Sequence, residues 1–221
     1  SLGLKNLKGL LNIPSRKKCH SADQEKPLDY YISKIIKVMP PMVTIIDGIY
    51  SLEKGPTPDG RARRSDLLIA SSDPLSCDMV GAKTLGYDPG EIKHIVFAAE
   101  DAKRPVDLSD IEIIGEPLEK VASFHDFDFH YNEEGTLHKS MEKRGIKGLS
   151  YKKYDDTMCT YCSIVNGAVL TAISFAWTGE PWDDVEVLTG KKMQPTPNKK
   201  KTILLGQCMY NLHKNNPVIN E

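Results

Sequence analysis

Leu67-Leu68-Ile69-Ala70-Ser71-Ser72-Asp73-Pro74, continuing through Leu75, Met79 and Ala82 to Gly86, reads as a strand that runs into a capped helix. The apolar run at 67–70 predicts the strand. Asp73 predicts the N-cap, with Pro74 at the first helical position, where a missing N–H costs nothing. Leu75, Met79 and Ala82 fall on one helical face, and Gly86 ends the helix. The alternation extends both ways. Upstream, Leu28, Tyr31, Ile32, Ile35, Ile36 and Met39 sit at helical spacing, with Asp29 in the first turn and Pro40-Pro41 as the stop. Met42 to Ile46 is a β-branched run ending in Asp47-Gly48, read as a buried strand with a carboxylate at its C-terminal end. Downstream, Asp88-Pro89-Gly90-Glu91 starts another helix through Ile92, Ile95, Val96 and Ala99, with His94 on its exposed flank, and Ile111 to Gly115 predicts a third strand. The pattern specifies an α/β fold, a layered mixed or mostly parallel sheet flanked by helices.

A chain of 221 residues accommodates one large or two small domains. The expected division is an α/β domain over 1–122, a connector over 123–150 and a smaller Cys-containing α/β lobe over 151–221. In the connector Phe124, His125, Phe127, Phe129, His130 and Tyr131 crowd together, and the histidines at 125, 130 and 138 match no tight helical metal pair. With 29 basic and 30 acidic side chains the formal net charge is −1, so no global field favours nucleic acid or an anionic membrane. The basic runs Arg61 to Arg64 and Lys199 to Lys201 read as solvated loops. The longest apolar stretch, around Ile164 to Trp177, is interrupted by Asn166, Gly167, Thr171 and Ser174 and reads as a buried helix, short of the ~20 residues of a membrane span. An odd cysteine count without a disulfide framework points to a reducing, cytoplasmic setting. Because Ser1 opens the chain, a trimmed natural sequence is expected.

Three of the five cysteines carry the strongest chemical signal: Cys159 and Cys162 at the mouth of a predicted helix, and Cys208 after the predicted strand Thr202 to Leu205 and Gly206. Three residues apart on a first helical turn, Cys159 and Cys162 project from one side, where free amides and the positive helix end favour thiolate. Three thiolates suit an iron–sulfur cluster; with His213 they would instead suit a Cys3His zinc site. A redox-active dithiol is the third reading. Cys77, inside a helix, reads as a small buried hydrophobe.

A second candidate site is an anion-binding cleft. Gly3 and Gly9 bracket Lys5, Asn6 and Lys8; His20 follows Cys19; and Asp47, at the carboxyl end of its expected strand, would serve as acid or base with His20. The glycines and prolines of residues 53–60 would form a rim, or a plain connector.

Leu2-Gly3-Leu4-Lys5-Asn6-Leu7-Lys8-Gly9, His20, Ile45-Ile46-Asp47-Gly48-Ile49 with Gly55-Pro56, and above all Leu68 to Lys83 with Leu85-Gly86-Tyr87 resemble the prokaryotic domain of unknown function 362 family over about residues 2 to 115. The resemblance implies an iron–sulfur-associated protein, whose relatives are in several cases fused to ferredoxin-type modules and have no established general reaction. It implies an α/β segment upstream, so that this chain is the C-terminal part of a longer protein, and a further cysteine in a Gly-Cys-Pro context beyond Glu221 as fourth cluster ligand. Carried over residue by residue, Lys5, Asn6, Lys8, His20, Asp47, Gly55, Asp73 and Asp78 are the polar or turn positions of the shared motifs. The expected partners are a redox partner or ferredoxin-type module and a small anionic ligand, with neither nucleic acid nor membrane.

Overall fold

The computed structural model describes residues 2–55, 60–128 and 130–219. Its elements in order are α1 (Gly3–Leu7), α2 (Ile13–Cys19), α3 (Leu28–Ile35), β1 (Thr44–Glu53), β2 (Arg61–Ser71), α4 (Pro74–Thr84), α5 (Lys93–Ala102), α6 (Leu118–Val121), α7 (Lys139–Lys143), β3 (Leu149–Tyr151), α8 (Thr160–Ala176), β4 (Val185–Thr189), β5 (Lys201–Leu205) and α9 (Gln207–His213). The fold is mixed α/β, with one antiparallel and one parallel sheet. The chain divides into two compact units, Ser1–Ser15 with Leu28–Phe129, and Arg16–Pro27 with His130–Glu221.

In the first unit β1 and β2 form an antiparallel ribbon in which Thr44 faces Ser71 and Glu53 faces Arg61, with an irregularity between Gly48 and Tyr50. α1, α3, α4 and α5 pack on one another, and α1 and α4 also meet the ribbon. Leu4, Ile32, Leu75, Cys77, Met79 and Ile95 make the core. The strand-to-helix reading holds in detail: Asp73 accepts hydrogen bonds from Leu75 N and Ser76 N, and Pro74 opens α4. α1 approaches α4 so closely that a Cβ on Gly3 would lie 2.9 Å from Asp78 Oδ1.

Several expectations need correction. Residues 111–115 form no strand; Ile111 N donates back to Leu108 O at 3.0 Å and Gly115 adopts φ +116, so the first unit has no third strand there. Arg61 to Arg64 is no solvated loop but the start of β2, where Arg61 and Arg63 pair with the buried Glu53. The sheet of this unit is antiparallel: β1 runs on through Asp47 to Glu53 and pairs with β2 from Glu53 opposite Arg61 to Thr44 opposite Ser71. Asp88 does not cap α5; a 3₁₀ turn over Pro89–Glu91 intervenes and Ile92 takes the cap position. His94 is half-buried instead of lying on an open flank.

In the second unit β3, β4 and β5 lie side by side in that order, all parallel. α8 connects β3 to β4, as a parallel pair requires. Every residue of β4 is buried. Leu137, Met141, Ile146, Leu149, Tyr151, Ile173, Val185 and Val187 form the core. The apolar α8 is present, yet it is not buried all round: Asn166 and Ile173 are its buried residues, while Ile164 and Phe175 are exposed. Asn166 is on the inner face because its Oδ1 accepts the Tyr151 hydroxyl, at 2.7 Å. Among the described residues no helix is long and apolar enough to cross a membrane.

Candidate functional site

Parallel strands place their carboxyl ends on one edge, and that edge is where open α/β sheets bind ligands. In the second unit it carries Thr189-Gly190-Lys191 after β4 and Gly206-Gln207-Cys208 after β5. The chain leaving β3 reaches α8 there, with Cys159 as the N-cap residue and Cys162 in the first turn. Gly206 adopts φ +94, and a Cβ on it would lie 2.8 Å from Cys162 Sγ. Only a residue without a side chain lets the β5–α9 turn come this close to the sulfur.

The thiols differ in character. Burial alone would raise the Cys159 pKa, but the amides of Cys162 and Tyr161, the Lys191 ammonium and a hydrogen bond with the Cys162 thiol together hold it below the ordinary thiol value. Cys162 moves the opposite way, raised by burial, by the charge and hydrogen bond of Cys159 and by Cys208, with Lys17 opposing. Cys77 is buried in the first unit and pushed up to about 11 by burial, in keeping with an inert core thiol.

Sequence reasoning missed Lys191. Its ammonium donates to the carbonyls of Lys17 and His20, and its amide donates to Thr157 Oγ1 at 2.8 Å. His20 Nδ1 donates to Asp156 O at 2.9 Å. Thus the segment carrying Cys19 and His20 is tied to the loops beside Cys159. A signal existed, though Glu186 breaks it: Val185, Val187 and Leu188 belong to a short strand that ends at Thr189, just before Gly190-Lys191. His213 donates from Nε2 to Met193 O and accepts at Nδ1 from Asn216, so both ring nitrogens are engaged. Among the described residues no three His, Cys, Asp or Glu side chains are grouped to hold a single metal ion.

The anion-cleft residues are placed as follows. Lys5 and Asn6 are exposed on α1, and Lys8 begins a 3₁₀ turn. Asp47 is not at a strand end; it lies within β1 opposite Leu68, exposed, with Oδ1 accepting from Ile49 N. Gly55 is buried just past β1, and residues 56–59 of the expected rim fall outside the described residues. Asp73 is the α4 cap and pairs with Arg104. Asp78 is fully buried, and both its oxygens accept from Leu4 N, at 3.2 and 3.1 Å.

Burial raises the Asp78 carboxyl to about 6, against an ordinary 3.8, although the amides of Leu4 and Gly3 and His94 oppose it. A carboxyl whose folded value is raised adds stability that is complete below the unfolded value and is lost as pH rises through the folded one. Asp78 therefore costs roughly 3 kcal/mol between pH 4 and pH 7. Urea unfolding of Asp78→Asn should show stability falling less over that window than in the unaltered chain; parallel curves would show that Asp78 does not titrate there.

The class of molecule is thus a two-unit mixed α/β protein with a thiol-rich edge on its parallel sheet. Residues 1–83 match the family model described as Domain of unknown function (DUF362), and this segment belongs to that family. The match covers α1 to α4 and stops before all three cysteines of the parallel-sheet edge. Neither a curated protein nor a solved structure matched the chain.

Proposed function

We propose that this is an iron–sulfur protein with a redox or electron-transfer role, in which Cys159, Cys162 and Cys208 are cluster ligands and a partner supplies the fourth. The observation that carries the reading is the convergence of two elements on one sulfur: α8 presents Cys162, and the side-chain-free Gly206 brings the Cys208 turn against it. A single zinc ion needs its donors on one sphere of about 2.3 Å radius, whereas cluster cysteines bind different irons. A His213 with both ring nitrogens engaged is a poor fourth donor for Cys3His zinc, which favours a cluster over that site. When bound, the cluster supplies one-electron chemistry. The chain's own part is to favour thiolate at Cys159, at a helix start beside Lys191, and to hold the Cys162 sulfur next to it with Lys17 near.

The test is iron, sulfide and zinc analysis of the chain prepared anaerobically and reconstituted with iron and sulfide. Brown protein with matching iron and sulfide is expected, and Cys162→Ser or Cys208→Ser should each lower iron retention roughly ten-fold or more. Colourless protein holding stoichiometric zinc sinks the proposal. A second reading, a redox-active dithiol, rests on the Cys159–Cys162 thiol hydrogen bond. It predicts a reversible disulfide between those two residues with no iron bound.

A further inference from the structure

A second set of chemical groups lies wholly in the first unit. His94 on α5 is hydrogen-bonded through Nδ1 to Asp29 Oδ1 on α3, at 3.0 Å, and its Nε2 lies 3.9 Å from Asp78 Oδ2 on α4. The Asp29 carboxyl is held below its ordinary range, first by the hydrogen bond from His94. An ionised carboxylate only accepts, so Nδ1 carries the proton of the neutral ring and Nε2 is the basic nitrogen. At 3.9 Å Nε2 is beyond hydrogen-bonding distance of Asp78. The charged groups bearing on this trio are Lys5 from α1 and Lys93 from α5, both acting on Asp29.

His94 also lines a cavity of about 360 Å³ whose other walls are mainly apolar, among them Leu52, Ala82, Leu85, Ile92 and Phe127. Its remaining polar lining groups are occupied. The Tyr87 hydroxyl donates to His125 O, His125 donates from Nδ1 to Ser123 O and accepts the Ser51 hydroxyl at Nε2, and Asp126 pairs with Lys54. An imidazole oriented by a carboxylate, opening on an apolar chamber of ligand size, is the geometry of a general base.

We propose that the first unit is a proton-abstraction site in which His94, positioned by Asp29 and backed by Asp78, is the base for a small, neutral, largely apolar compound bearing a weakly acidic hydroxyl. In the step the O–H bond breaks, the proton forms a bond to Nε2, and the electron pair stays on oxygen. The resulting imidazolium lies between two carboxylates, and the proton returns along the same path.

The probe is 4-nitrophenol with the full chain, in buffer more acidic than the free phenol's own pKa, where bound phenolate is read by its visible absorbance. The expected result is saturable binding with the phenolate colour, lowered at least about ten-fold in His94→Gln. Leu85→Trp, which leaves the His–Asp pair in place and fills the cavity, should abolish binding. As a positioning residue, Asp29 is tested by ring ¹⁵N shifts: the Nδ1–H tautomer of His94 in the unaltered chain should give way toward Nε2–H in Asp29→Asn. A phenol that binds without colour or does not bind, an undiminished signal in His94→Gln or Leu85→Trp, or an unchanged tautomer in Asp29→Asn overturns the proposal. Circular dichroism of each variant establishes folding, and should His94→Gln fail to fold, Leu85→Trp decides.

Discussion

Gly148→Ala should severely destabilise the second unit, while Gly145→Ala, three residues earlier, should leave it nearly as stable as before. Both glycines adopt nearly the same left-handed backbone, φ +74 and +76. That conformation alone costs alanine about 1–2 kcal/mol. The surroundings differ. A Cβ on Gly145 meets nothing within 4 Å, but one on Gly148 would lie 1.8 Å from Trp182 O and 2.6 Å from Trp182 C. These are backbone atoms, and no rotamer change relieves the overlap. The same backbones hold the start of the parallel sheet: Trp182 N donates to Lys147 O and Val185 N to Gly148 O, just where Leu149 and Val185 come into register. Forcing them apart removes the first rungs between β3 and β4. The penalty for Gly148→Ala is expected to exceed ~4 kcal/mol, a large share of a domain's net stability. Thermal melts should show a fall of about 15 °C or more, against a few degrees for Gly145→Ala. Equal melting temperatures for the two variants would mean that the close approach at Trp182 is absent.

What the sequence disclosed divides along physical lines. Local signals were legible: the Asp73–Pro74 start of α4, the helical spacing of α3, the apolar length of α8 and the short strand before Gly206. Pairing partners were not. β1 and Leu67 to Ala70 were recognised as strands, but their antiparallel pairing, with Glu53 opposite Arg61, is a matter of register that the composition of neither run reports. Residues 111–115 have the composition of a strand, yet strand formation needs a neighbour's free hydrogen-bonding edge, which composition does not report. β4 was overlooked because Glu186 interrupts an otherwise apolar run. For the candidate site, the cysteine spacing pointed to the start of α8 and the turn after β5, whereas Lys191, remote from Cys159 in sequence, became visible only once the strands were in register. The Asp29–His94–Asp78 set was hidden because its members lie on three different helices.

The residue that concealed β4 is also expected to be among the costliest to change. Glu186 is fully buried on a strand whose every residue is buried. Its oxygens accept from Thr196 N at 2.9 Å, Thr196 Oγ1 at 2.7 Å and Thr202 Oγ1 at 3.3 Å, and Lys152 Nζ lies 2.9 Å away. The site therefore calls for a group that only accepts, which among side chains means an ionised carboxylate. Burial pushes the Glu186 pKa up, but the Thr196 hydroxyl, Lys152 and the Thr196 amide outweigh it and hold the group below its ordinary 4.5. A lowered folded value contributes stability above the unfolded value that is lost as pH falls through the folded one. Glu186→Ala should cost roughly 3 kcal/mol at neutral pH, because it leaves the Thr196 amide and hydroxyl without their acceptor beside a cavity and removes the buried partner of Lys152, which keeps only Gln194 O among the described residues. Glu186→Gln should cost about 1–3 kcal/mol, since its NH2 must face a donor. Below pH 4.5 the gap between Glu186→Gln and the unaltered chain should narrow as the carboxylate protonates, and urea titrations across pH check this; a constant gap would mean that the charge contributes nothing. On the cluster reading proposed above, the alanine variant should also retain less iron on reconstitution, although it alters no cysteine, because β4 delivers Gly190 and Lys191 to the thiol edge.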